Sequence, residues 1–419
     1  MDISLIDHNN CPNTIKCPKN DLGIHNGKLV NELIAVRSDP CPASFEAIPK
    51  ELLSNIFKNL SLKDLTHAAH LSKASYQEAK RLYYKINEDK KIDAIFSLVK
   101  ERALISLQTI DQMGESLAAM VDKPCGNTLL HQAVLHDQVD IINFLLKLKK
   151  IDVNAKNSLD DTPLYLAAKK GLCSIAKRLI MHSEININTE NGKFGRSALH
   201  IAILEEHLKL AEQLISSPAC DVNKQDNNGE SGLYHAIRKN NLQVVELLLN
   251  QPIIDVNQQN GKCCTALMLA VLKGNTDIVK VLLEHASIDI NIDDCKRRSH
   301  NALNFAIWKN RFDIAKLLAA RKDINANSIT LMGWTTMSLS IKSRNIQIIE
   351  ILEMLPQKGA KADIDGRTPS YYLVREGDEY GIKVMLDDSD TSLESALLEI
   401  HIKRAHLMGN VPVFNLDLF

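Results

Sequence analysis

Aromatic residues are scarce in this chain, 5% of 419 residues with two tryptophans. No stretch approaches the ~18 uncharged apolar residues of a membrane span, so no membrane anchor is expected. The opening MDISLIDHNNCPNTIK lacks a basic start and an apolar core, so no secretory signal is expected either. A dominant charge is missing too. A formal net charge of -1 exerts no global pull toward nucleic acid or an anionic bilayer. Nine cysteines are an odd number for a disulfide framework, and their scattered positions read as reduced thiols of a cytoplasmic protein.

Catalytic signatures are missing as well. There is no GxxxxGK[ST], HExxH or GxSxG, and no kinase-like lysine and aspartate set. Cys11, Cys17 and Cys41, each followed by proline, could ligate a metal with His25, but their spacing matches no zinc pattern. The Cys263-Cys264 pair has no base placed beside it by the sequence. The expectation is a non-enzyme without cofactor or metal.

Repetition is what the chain has in quantity. GNTLLHQAV at 126, DDTPLYLAA at 160, GRSALHIAI at 195, GESGLYHAI at 229 and CCTALMLAV at 263 are variants of one phrase, which continues in weaker form to 366. Thr128, Thr162, Ser197, Ser231, Thr265, Asn301, Thr335 and Thr368 recur at intervals of 33 to 36 residues. A leucine follows seventeen residues on, at Leu145, Leu179, Leu214, Leu248, Leu282, Leu318 and Leu352, and an Asp-Val-Asn type turn closes most units. Each Thr can cap a short helix. The small residue at Ala133, Ala167, Ala202, Ala236, Ala270 and Ala306 permits close packing, and the leucines mark the buried stripe of a second helix. One unit cannot bury its own apolar face, so the stack is the folding unit.

These landmarks resemble the ankyrin repeat over 121–390, about eight units with the last degenerate. The resemblance implies an all-α solenoid of helix pairs with β-hairpin fingers. Residues 1–43 read as irregular, 85–120 as linking or capping helices with one amphipathic helix over 89–107, and 391–419 as a closing helix and tail.

Ahead of the repeats, FEAIPKELLSNIFKNLSLKDLTHAAHLSKASYQEA at 45–79 carries more apolar surface than one short helix can bury. Pro49 suits a first turn, Ser61 and Asp64 can cap a second helix, and helices this short are unstable alone. The segment, bounded at 44–84, resembles an F-box, with departures at Ile48, Ser72-Lys73 and Tyr76. That resemblance implies docking of the Skp adaptor of a Skp–cullin–F-box ubiquitin ligase through Ile48, Pro49, Leu52, Ile56, Leu60 and Leu65. A helical cap on the repeats is the alternative reading of the same residues. The order of the two modules resembles F-box ankyrin effectors of the Legionella type, which implies a host cytoplasm as the place of action.

In ankyrin proteins the residue before the Thr and the two after the alanine step face a concave groove. The resemblance puts Arg238, Lys239, Lys273, His300, Trp308, Lys309, Trp334 and Lys342 there, with both tryptophans in adjacent repeats. Such a set would hold a protein segment that is acidic and apolar, since Trp and Arg dominate binding hot spots. Solvated lysines and a partly buried Trp308 are the plain alternative. A substrate receptor follows from the two modules together, and an ankyrin scaffold or inhibitor without ubiquitin chemistry is the rival.

Overall fold

The computed structural model describes residues 60–70, 73–294 and 300–325, together with Ser54, Phe57 and Lys58. The expectations for Ile48, Pro49, Leu52, Ile56, Trp334 and Lys342, for the last two repeats and for a closing helix lie outside the described residues. The chain divides into two compact units, Met1–Ile151 and Asp152–Phe419.

In the first unit, α1 (Leu62–Ala68) starts at Ser61, whose Oγ accepts the Asp64 N–H at 3.2 Å. It packs against α2 (Lys73–Tyr83), α3 (Glu88–Lys100) and α4 (Leu104–Gln112). One helix over 89–107 is expected from the sequence, and the structure breaks it into α3 and α4. Arg102 adopts a left-handed φ of 58°, the Arg102 N–H bonds to Val99 O, and the Ala103 N–H bonds back to Leu98 O at 2.9 Å. This paired closure ends a helix even without glycine at its left-handed position. Beyond it lies the first repeat pair, α5 (Leu129–Leu135) and α6 (Val139–Leu145), with α3 packed on α5 and α4 on α6. The linking helices therefore cover the apolar side of the first repeat.

Among the described residues the second unit contains five further pairs: α7 (Pro163–Lys170) with α8 (Cys173–Ile180), α9 (Ala198–Leu204) with α10 (Leu208–Ile215), α11 (Gly232–Arg238) with α12 (Leu242–Leu249), α13 (Ala266–Lys273) with α14 (Thr276–Glu284), and α15 (Ala302–Trp308) with α16 (Phe312–Ala319). First helices pack on first helices and second on second, from each pair to the next. The alanine at the crossing is fully buried in all six pairs across the two units, and so is the leucine seventeen residues after the capping position. Each such leucine contributes roughly 1.5–3 kcal/mol of burial. Thr162 and Thr265 accept the N–H of Tyr165 and Met268, and Asn301 caps in the same way through Asn304, so the polar position that opens these phrases satisfies orphan donors, whereas Ser231 makes no such bond.

A side-chain ladder joins consecutive repeats of this unit. Asn154, Asn188, Asn223, Asn257 and Asn291 each donate from Nδ2 to a backbone carbonyl of the next repeat and accept a backbone N–H from it at Oδ1. For Asn223 the distances are 2.6 Å to Ile253 O and 2.8 Å from the Asp255 N–H. The others match it within a few tenths of an ångström. The finger segments are tight turns closed by Asx side chains rather than long strands: among the described residues only the isolated bridges Val121 with Thr128 and Gln225 with Ser231 form.

Between the two helices of each pair the chain needs a left-handed residue. Gly171 supplies it at φ 69° after α7, where a Cβ would come within 2.6 Å of His207 Nδ1. Asp137, Glu206, Asn240 and Asn310 take the corresponding conformation elsewhere. Cys263 is disulfide-bonded, which departs from the expectation that all cysteines are reduced, whereas Cys125, Cys173 and Cys220 are free. Among the described residues no helix is long and apolar enough to cross a membrane.

Candidate protein-docking surfaces

Two of the residues expected at the adaptor interface can be placed. Leu65 is 3% exposed and belongs to the interior of the first unit, facing its helical neighbours rather than a partner. Its place on α1 follows from the Ser61 cap, which turns the Leu62 and Leu65 side inward. Leu60, just before the cap, is half-buried, and Phe57 is buried. A buried lysine marks the same unit. Lys91 pairs with Glu88 at 2.7 Å and Glu115 at 3.8 Å, and its Nζ lies 4.9 Å from the Tyr83 ring centroid. Burial raises the Tyr83 phenol above its ordinary range, with the Glu115 charge adding to it.

In the second unit the expected groove residues fall into distinct environments. Trp308, at the end of α15, is 46% exposed, with Lys309 Nζ 4.1 Å from its ring centroid. Beneath it lie Phe305 and His300, at 6.4 and 6.5 Å between centroids. His300 is 4% exposed, so it supports the tryptophan from inside and is not itself offered to a partner. The His300 N–H donates to Asp294 Oδ1 at 2.9 Å. Of the other finger positions before the capping residue, Asn127, Asp161 and Glu230 are buried and Arg196 and Cys264 half-buried, each with its N–H on an Asx side chain of the same finger.

Arg238 and Lys239 are exposed but not unengaged. Arg238 donates to Glu230 Oε1, and Lys239 Nζ pairs with Glu206 Oε1 at 2.9 Å. Lys273 ends α13 on the exposed side. The cationic groove expected from the sequence is therefore partly neutralised within the chain, and Lys309 lies on the exposed tryptophan.

Sequence reasoning missed two features. The fingers of the second and third repeats carry Leu159 (68% exposed) and Phe194 (41% exposed), the latter under Lys193 and Arg196 at 5.0 and 4.7 Å. The 35-residue step from Thr162 to Ser197, with its longer NGKFGR finger, was the available signal. The second is a buried polar cluster beside α11. His235 Nε2 donates to Asp226 Oδ2 at 3.2 Å, and His235 Nδ1 faces Glu230 Oε2 at 4.0 Å. The His200 ring stands edge-on to His235 at 5.4 Å, and Arg196 Nε lies 3.7 Å from Asp226 Oδ2. Burial lowers His235 and His200, and the two imidazoles oppose each other's protonation. Burial also acts to raise Asp226, but the N–H groups of Glu230 and Asn228 on its carboxylate hold it below the ordinary range. Nothing in the repeat phrase marks this cluster, because His235 sits one position beyond the usual histidine.

The ankyrin-repeat profile matches this chain in three overlapping copies, at 103–191, 164–260 and 233–330, together more than half its length. The F-box domain profile matches 45–87. Similar stretches occur in alpha-latrocrustotoxin-Lt1a of Latrodectus tredecimguttatus, 35% identical over 26% of this chain, and in neurogenic locus notch homolog protein 1 of Xenopus tropicalis, 33% over 25%. Nuclear factor NF-kappa-B p105 subunit of Gallus gallus is 30% identical over 25% of this chain. The chain spans 8%, 4% and 11% of the lengths of those three proteins. Among solved structures, the ankyrin repeat domain of Bcl-3 is 21% identical with a TM-score of 0.46, covering 50% of this chain and 92% of that one.

Proposed function

We propose, for a chain that belongs to the ankyrin-repeat family and carries an F-box ahead of its repeats, a non-catalytic receptor that links a target protein to a ubiquitin ligase. The F-box docks the Skp adaptor, and through it the cullin core, by way of Ile48, Pro49, Leu52, Ile56 and Leu60. The repeats hold the target, with Trp308 as an exposed aromatic anchor beside Lys309, with Lys273 as a further cation, and with Trp334 and Lys342 as its continuation. The occupant this chemistry favours is an acidic segment with an apolar side chain. Nucleic acid is disfavoured, since no base-reading motif accompanies the lysines. The module order supports a cytoplasmic place of action, the host's cytoplasm for an effector of the Legionella type.

The observation that carries the reading is the F-box match at 45–87, since an array alone needs no such segment. Co-expression with a Skp adaptor and affinity purification test it. Wild type is expected to retain the adaptor, and Leu52→Asp with Ile56→Asp to lose it, because an unpaired carboxylate in an apolar interface costs more than the roughly 2–7 kcal/mol of an unpaired uncharged polar group. Trp308→Ala is expected to keep the adaptor and lose the target. Failure of wild type to bind the adaptor overturns the receptor and leaves an ankyrin scaffold or inhibitor.

A further inference from the structure

The cluster beside α11 contains two buried polar atoms near each other, neither with a hydrogen-bond partner. A carboxylate only accepts, so the 3.2 Å contact with Asp226 places the ring proton of neutral His235 on Nε2. Nδ1 is then an acceptor, and it faces Glu230 Oε2, also an acceptor, at 4.0 Å. Neither atom meets a hydrogen-bond partner, and the His235 side chain is wholly buried. Two buried acceptors in opposition are unfavourable unless a positive centre lies between them. The separation is too long for one shared proton and wider than the about 3.4 Å that two ligands ~2.0–2.2 Å from a tetrahedral zinc would show, so a cation would draw the two atoms together. One ligating atom from each of Asp226, Glu230 and His235 lies within 4.8 Å of the other two.

We infer that His235 Nδ1 and Glu230 Oε2 ligate a divalent d-block cation, with Zn2+ the reference ion, while Asp226 orients the imidazole from the far side. A carboxylate on the second ring nitrogen is the arrangement that fixes the tautomer of a metal-binding histidine. Arg238 engages only Oε1 of Glu230, leaving Oε2 for the metal. His200 does not join: its Nε2 donates to Lys224 O at 2.9 Å and its Nδ1 accepts the Ser197 N–H at 3.0 Å. Arg196 and Arg238 already balance the two carboxylates, so the cation is held by lone-pair donation more than by excess negative charge. That selects Zn2+ or Co2+ over Mg2+ and Ca2+, which prefer oxygen alone.

The test is titration of the full chain, stripped with chelator and kept under a phosphine reductant, with Zn2+ by calorimetry and with Co2+ by absorbance. Wild type is expected to bind one more equivalent than Glu230→Gln or His235→Gln. Asp226→Asn keeps the Oδ1 that holds the turn, and it is expected to weaken that equivalent about 10–100-fold. The Co2+ spectrum should lack sulfur charge-transfer bands for this equivalent, and Mg2+ should not compete. Identical zinc stoichiometry and affinity in wild type and Glu230→Gln would overturn the site, placing any bound zinc on cysteines elsewhere. Glu230 lies at the edge of the cluster beside the exposed Arg238, so its variant decides the matter even where His235→Gln does not fold.

Discussion

Asp122 illustrates how much one side chain can organise. It accepts N–H groups from Cys125 and Asn127 and amide hydrogens from Asn127 and Gln132, closing the first finger onto α5. Burial alone would raise its pKa, but those donors outweigh it and hold the carboxyl below the ordinary range. A depressed carboxylate contributes stability that is complete above its unfolded value of about 3.9 and is lost as pH falls through the folded value. Asp122→Asn should therefore cost about 1 kcal/mol at neutral pH, a modest figure because the group is half-exposed. Between about pH 5 and pH 2 the gap to wild type should close in urea unfolding. Identical acid sensitivity in both proteins would show that Asp122 is not the group responsible. Leu65 and His300 teach the converse lesson at this scale. Both residue types suit an interface, and both are interior here, beside a cap in one case and an Asx turn in the other.

At the scale of elements, the asparagine ladder is the most regular feature of the second unit. Asn223→Ala removes two hydrogen bonds between consecutive repeats and should destabilise the chain by about 1–3 kcal/mol. Equilibrium urea unfolding monitored by far-UV circular dichroism checks this, and an unchanged midpoint would mean water replaces both bonds without loss. The helix pairs, their capping residues and their buried alanines were all legible in the sequence, because a 34-residue period leaves few ways to place them. The break at Arg102 was not legible. It depends on a left-handed arginine, whereas glycine is the residue that ordinarily marks such an end. The neutralisation of Arg238 by Glu230 was not legible either, since the partners come from a finger and a helix end eight residues apart whose approach only the fold determines.

For the whole molecule, stability is approximately a sum of repeats and their interfaces. Ala236 is fully buried where α11 meets its neighbours, so Ala236→Leu should overpack a central interface by about 1–3 kcal/mol. Hydrogen exchange by mass spectrometry should show protection falling first over α9–α14, with α7 and α16 less affected. Uniform loss of protection would indicate instead that the unit opens all at once. Formal charge gave no lead to function at this scale: a total of -1 conceals an array in which several cations already have partners.

Those internal pairs have a consequence for selectivity. Glu230 and Glu206 are tethered beside Arg238 and Lys239, and a tethered group acts at an effective concentration in the millimolar range or above. An acidic ligand arriving from solution must outcompete them before it gains anything from these cations. Among the described residues Lys309 has no such carboxylate beside it, so a visiting acidic group gains more where it lands within reach of Trp308. The chain's own glutamates thus act as built-in competitors that filter out ligands whose sole qualification is negative charge.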